Sequence, residues 1–191
     1  EPLLETFFSR FASRSAMTPG MIFSLKGKWV LITGASAGFG AAAAKAFGAE
    51  GAKLLLGARR VDRLAQVAAE AVQAGAAEAQ FRKLDVNQTT SVEDFAAWAR
   101  KKMAAGKSAT PKLHVLINNA AVFSVVPMNR GRIETIDPEE WDRLMAVNLR
   151  GLFFCCRAVL PAMRAQRSGK IINIASGTVF AGAPGRIHYV T

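Results

Sequence analysis

The sequence is poor in residues that staple or ligate. Its 191 residues include 2 cysteines, and these are neighbours, Cys155 and Cys156. Adjacent thiols cannot tie distant parts of a chain together, which excludes a disulfide-built scaffold and fits a reducing compartment. The 2 histidines, His114 and His188, are too few for a metal site of ordinary spacing, so no metal is expected. Neither is assigned a role: His114 reads as a strand-edge residue and His188 as a loop residue. There is 1 tyrosine, Tyr189. No run of about 18 apolar residues is free of a charge or a turn residue, so no membrane-spanning helix is expected. Acidic side chains stop at Asp142; beyond it the charged residues are all basic, from Arg143 to Arg186.

Hydrophobic residues make up 51% of the chain and charged ones 20%, a composition that gives a single globular domain. The balance of 25 basic against 14 acidic residues leaves a net charge of +11, which raises the question of nucleic acid. Arg143, Arg150, Arg157 and Arg164 are spaced at heptad intervals, so on one helix they form a slowly drifting stripe. The stripe reads as a solvated helix face. No nucleic-acid motif accompanies it, and no nucleic-acid partner is expected.

Residues 1–24 read as an N-terminal extension. Leu3, Leu4, Phe7, Phe8 and Phe11 recur at helical spacing with Arg10 and Arg14 nearby, as in the tail of an organelle transit peptide. Glu1 and Glu5 count against that, and a docking helix or an untranslated-region artefact fits equally. The expected location is cytoplasmic, with an organelle matrix as the alternative.

From Lys28 onward, short apolar runs alternate with longer segments. The runs are Trp29–Thr33, Lys53–Leu56, Gln80–Leu84, Leu113–Asn118 and Lys170–Ala175. They lack the polar alternation of a half-exposed strand, as expected for strands buried on both faces. Between them lie helix-forming stretches rich in alanine, of which the chain has 35. This alternation predicts an α/β fold, a doubly wound parallel sheet of Rossmann type. Lys101–Lys112 is expected to be a surface loop. A helix is expected from Pro138 toward Ala165, with Pro161 as a point where it kinks or divides. Asp137 caps its start, Glu140 completes a capping box, and Ile136 and Trp141 form a staple. Cys155 and Cys156 then serve as packing thiols.

The first strand runs into Thr33-Gly34-Ala35-Ser36-Ala37-Gly38-Phe39-Gly40 and then directly into an alanine-rich helix. A glycine turn there lets the backbone approach a pyrophosphate, and the helix start offers free N–H groups to that anion. The order T-G-x-x-x-G-x-G, together with several motifs downstream, resembles the short-chain dehydrogenase/reductase family over Leu25 to Thr191. Asp85-Val86 stands where the family contacts adenine. Asn118-Asn119-Ala120-Ala121 matches the family's N-N-A-G, with Ala121 at the glycine. Asn148 matches the helix asparagine of the family's proton relay. Ser176 and Tyr189, thirteen residues apart, match its catalytic pair.

That resemblance implies a NAD(P)-binding domain over residues 25–191 with strand order 3-2-1-4-5, and catalytic roles for Ser176, Tyr189 and Asn148. It implies cofactor contacts from Gly34, Ser36, Ala37, Gly38, Phe39, Gly40, Asp85, Val86, Asn119, Ala120 and Tyr189. The chemistry suits these residue types. Reducing a ketone adds hydride to carbon and a proton to oxygen; a serine hydroxyl can hold that oxygen and a tyrosine can deliver the proton. An ordinary tyrosine titrates near about 10, so acting as a base near neutrality requires a nearby cation. The family places a lysine four residues past its tyrosine, beyond Thr191. The domain is therefore expected to lack its C-terminal part, and this chain alone to be nearly inactive.

The second strand ends Gly57-Ala58-Arg59-Arg60, with Ala58 in the slot where an acid would bind the ribose of NAD. Arg59 and Arg60 instead suit the 2′-phosphate of NADP, with Arg59 the better placed. The expectation is an NADP-dependent oxidoreductase acting on a carbonyl or secondary alcohol. The alternatives are a dinucleotide-binding regulatory protein without catalysis and, behind it, a basic nucleic-acid binder. Phe123–Ile133 and Gly177–Arg186 are expected to shape the substrate pocket, and a homodimer or homotetramer is expected from the family.

Overall fold

The computed structural model describes residues 24–105, 112–123, 132–182 and 187–190. The expectations for the first 23 residues and for 106–111, 124–131, 183–186 and 191 lie outside these. Five parallel strands form one sheet in the order β3-β2-β1-β4-β5. They are β1 (Trp29–Thr33), β2 (Lys53–Ala58), β3 (Glu78–Lys83), β4 (Leu113–Asn118) and β5 (Lys170–Asn173). The helices between them are α1 (Gly38–Ala49), α2 (Val61–Gln73), α3 (Thr89–Ala104), α4 (Pro138–Met145) and α5 (Leu152–Ala165), followed by the one-turn helices α6 (Thr178–Ala181) and α7 (Ile187–Val190).

The sheet is sandwiched because β1 presents apolar side chains to both faces. Val30 and Ile32 pack with Ala44, Leu64 and Val67 of α1 and α2. Trp29 and Leu31 point the other way, among Val92, Phe95, Val159 and Met163 of α3 and α5. A strand without a wet side carries no alternation, which is why the apolar run marks it.

Several boundaries differ from the sequence reading. β2 continues through Gly57, where an added Cβ would lie 2.6 Å from Leu84 Cδ2 and 3.0 Å from Phe95 Cε2. The glycine is there for close packing, not to end the strand. β3 starts at Glu78, earlier than the apolar run indicates, because it is a partly exposed edge strand that admits polar residues. Lys101–Ala104 is the last turn of α3, whose buried Phe95, Ala99 and Met103 carry the helical pattern past the expected loop start.

The helix beginning at Pro138 reaches Ala165, with a π-helical stretch, Ala146–Gly151, joining α4 to α5. Pro161 lies inside α5 without dividing it. By length and composition alone these 28 residues hold a stretch apolar enough to cross a membrane, an 18-residue window of mean hydropathy 1.4, which the reading from charge-free runs does not pick out. Here the inner face, with Cys155, Val159 and Met163, is buried against the sheet, while Arg143, Arg150, Arg157 and Arg164 are exposed. The Asp137 cap forms, its Oδ1 accepting the Glu139 N–H at 3.0 Å. The Oε1 of Glu140, read as part of a capping box, meets His188.

Candidate active site

The site is assembled where the chain leaves β1, β2, β4 and β5 at their C-terminal ends, the crevice at which open parallel sheets bind ligands. Its centre is the glycine turn. Gly34 has φ +67, and a Cβ on it would lie 2.7 Å from Ala120 Cα. On Gly40 a Cβ would lie 2.5 Å from both Asn119 Nδ2 and Gly34 O. No side chain fits at either position.

Asn119 and Thr33 lock this contact. Asn119 Nδ2 donates to the carbonyls of Thr33 and Gly34 at 3.1 and 3.2 Å. Thr33 Oγ1 accepts the backbone N–H groups of Asn119 and Ala120, both at 3.1 Å. The hydroxyl of Thr33, to which sequence reasoning assigns no task, thus joins the ends of β1 and β4. Ala121 does not adopt a positive φ, so the family's glycine there is dispensable in this backbone.

The outer side of the turn is open. Gly38, with φ +56, has nothing within 4 Å of a built Cβ, and Ala37 and Phe39 beside it are exposed. Ala37, the N-cap of α1, provides no side-chain cap, and no acid lies in the first turn. Uncapped N–H groups, a helix dipole and open space fit an anionic pyrophosphate. Arg60 Nη2 donates to Ser36 Oγ at 3.2 Å, which places one guanidinium beside the turn; Arg59 and Arg60 are both exposed. Asp85 is half-buried and its Oδ1 accepts the Asn87 N–H at 3.0 Å; Val86 is buried. Gly151 closes on Val86, since a Cβ there would be 2.8 Å from Val86 Cγ2.

The residues expected to do chemistry lie on the other side of the crevice. Asn148, in the π-helical stretch, is fully engaged with Val122: its Oδ1 accepts the Val122 N–H at 2.8 Å and its Nδ2 donates to the Val122 carbonyl at 3.2 Å. The next residue, Phe123, stacks on Tyr189 with ring centroids 4.7 Å apart and planes 40° apart. Asn148, Val122, Phe123 and Tyr189 therefore form one connected set. Ser176 stands apart from it. Its Oγ lies 2.9 Å from Thr178 Oγ1 and accepts the Thr178 N–H at 3.3 Å, and no hydrogen bond joins Ser176 to Tyr189 among the described residues. The Ser176 and Thr178 hydroxyls lie within hydrogen-bond distance, and either can donate to the other.

His114 is the second residue of β4, near the edge of that strand, and its Nδ1 accepts the Trp29 N–H at 3.0 Å. Burial, reinforced by Lys28 and Lys112, pulls its pKa below the usual histidine value. His188, by contrast, is not in a loop as read from the sequence. It is on α7 and is 1% exposed, with Nε2 2.9 Å from Glu140 Oε1. No local signal marks it, since its partner is 48 residues away in sequence. Cys155 is a packing thiol as expected: burial, with Cys156 adding to it, pushes its pKa up to about 12, so it carries no reactive thiolate.

A family model described as short chain dehydrogenase matches residues 28–191. An uncharacterized oxidoreductase of Staphylococcus saprophyticus is 35% identical over 166 residues, covering 87% of this chain and 61% of the relative. A 3-alpha-(or 20-beta)-hydroxysteroid dehydrogenase of Mycobacterium tuberculosis is 38% identical over 158 residues, covering 83% of this chain and 55% of the relative. The chain thus spans little more than half the length of these curated relatives. Among solved structures, a metagenomic short-chain oxidoreductase in complex with NADP superposes with a TM-score of 0.76 at 36% identity, covering 88% of this chain and 71% of that one. The match over residues 28–191 and the parallel five-stranded sheet show that the chain belongs to the short-chain dehydrogenase family.

Proposed function

We propose that this chain carries the cofactor site and the serine and tyrosine of an oxidoreductase that uses NADP(H) to interconvert a carbonyl and a secondary alcohol. The observation that carries the reading is the tight, open glycine turn with the Arg60 guanidinium placed against Ser36. The absence of an acid at Ala58 supports the phosphorylated cofactor, and the NADP bound to the metagenomic relative points the same way.

Bound NADPH would supply the hydride. Ser176, which takes the Thr178 N–H on its Oγ, donates a hydrogen bond to the substrate oxygen and polarises the carbonyl. Tyr189 gives that oxygen its proton in reduction and takes it back in oxidation. Asn148 and Val122 hold the segment that bears Phe123 against the tyrosine ring. Ala37, Gly38 and Phe39 would hold the pyrophosphate, Asp85 and Val86 the adenine, and Asn119 and Ala120 would contribute further cofactor contacts. Self-association as a dimer or tetramer belongs to the same reading; Leu149 and Phe153 on the helix after β4 are exposed.

Fluorescence titration with NADPH and NADH tests the proposal. A charge-assisted bond to phosphate is worth about 1.5–3 kcal/mol. Arg60→Ala and Arg59→Ala should each weaken NADPH by about 10- to 100-fold and leave NADH nearly unchanged. Equal losses for both cofactors, or tighter binding of NADH by the parent, would remove the 2′-phosphate assignment.

A further inference from the structure

His188 is the one buried histidine among the described residues, and its position beside Tyr189 is not accounted for by packing. It is 1% exposed, its Nδ1 is buried without a partner among the described residues, and its Nε2 is bonded to a carboxylate on a distant helix. A leucine would fill the same space without stranding a polar atom. The imidazole therefore reflects a use for the bond to Glu140.

The surroundings of Tyr189 show what that use is. It lies on α7, Ile187–Val190. Two side-chain contacts join α7 to other elements. Glu140 of α4 binds His188 at 2.9 Å, and Phe123, past β4, stacks on the Tyr189 ring. Consecutive helical residues point about 100° apart, so clamping His188 toward α4 sets the direction in which Tyr189 leaves the helix.

We propose that Glu140 and His188 are positioning residues for Tyr189. The Nε2–H of His188 donates to Glu140 Oε1, pins α7 to the first turn of α4, and aims the phenol against Phe123. The proposal rests on the reading of Tyr189 as proton donor, but its structural half can be tested without turnover. Tyr189 is the one tyrosine of these 191 residues, and peptide mapping after nitration by tetranitromethane reads this ring specifically.

The variants are Glu140→Ala, His188→Leu and the conservative Glu140→Gln, which keeps an acceptor for the Nε2–H. In the full-length chain, Glu140→Ala and His188→Leu should speed nitration of Tyr189 severalfold. They should lower kcat by about 10- to 100-fold, the cost of misplacing a reacting group by about an ångström, while KM and NADPH affinity stay near the parent's. Glu140→Gln should restore slow nitration and most of kcat. If Glu140→Ala does not fold, His188→Leu, which keeps the volume, carries the comparison. Unchanged nitration and kcat in a folded variant would overturn the proposal. So would a parallel loss of NADPH binding, which would mean a general structural role. Failure of the proton-donor reading looks different: Tyr189→Phe would keep turnover while the nitration result stood.

Discussion

Around the glycine turn the backbone sets the geometry. β1 is buried at all five residues, Gly34 and Gly40 leave no room for a Cβ, and Thr33 and Asn119 cross-link the strand ends with four hydrogen bonds. Past β5 the described contacts are between side chains: His188 meets Glu140, Phe123 lies against Tyr189, and Gly177 has nothing within 4 Å of a built Cβ. A cofactor cradle must present the same N–H groups at every turnover, and a fixed backbone does this.

The contrast is broken most sharply by Tyr189→Phe. Removing one hydroxyl should reduce turnover on the order of 10²- to 10⁴-fold and leave NADPH titrations unchanged, which separates the two halves by function. Ser176→Ala should cost less, and the double variant should fall short of the product of the two because both residues act on one oxygen.

Stability gives the next test. Gly34→Ala combines left-handed strain of about 1–2 kcal/mol with overpacking of about 1–3 kcal/mol, and denaturant unfolding should show their sum. Gly177→Ala, with φ −65 and open space, should stay within about 0.5 kcal/mol of the parent. Comparable losses at the two glycines would erase the distinction between a rigid and a tolerant region.

A smaller effect is expected for the same change made in two strands. Ile32→Val in β1 should cost about 0.5–1.5 kcal/mol, because the side chain is fully buried, whereas Ile172→Val in β5, at 39% exposure, should be near neutral by the same measurement.

The smallest is a pH effect confined to the rigid half. The pKa of His114 is lowered in the fold from its ordinary 6.5. The unfolded chain therefore binds the proton first, and the stability this group contributes is present above 6.5 and lost as the pH falls through the lowered value. Its Nδ1 can accept from Trp29 only while unprotonated. Melting curves taken across that interval should show the slope, and His114→Gln should flatten it.

Legibility in the sequence divides along the same line. β1 and β4 are legible to the residue because strands buried on both faces are unbroken apolar runs. The glycine turn is legible because only glycine meets its steric demands. The start of β3 lies two residues before its apolar run, since an exposed edge tolerates Glu78 and Lys83. His188 is invisible, because its burial depends on a carboxylate that only the fold brings near. Strand position alone favours Arg59 over Arg60; the bond to Ser36 needs the packed turn to appear.

The π-helical stretch between α4 and α5 bears on how the two regions can change independently. A wider turn takes up about one extra residue, so the faces of the helix downstream are rotated relative to those upstream. Rotational phase is thereby decoupled across Ala146–Gly151. Upstream, α4 faces α7 through Glu140; downstream, α5 turns Cys155, Val159 and Met163 into the sheet. A uniform helix would couple these orientations, so any adjustment near the tyrosine would twist the core. With the two halves indexed separately, substitutions in α4 can vary how the catalytic end is held while the packing of α5 is inherited intact.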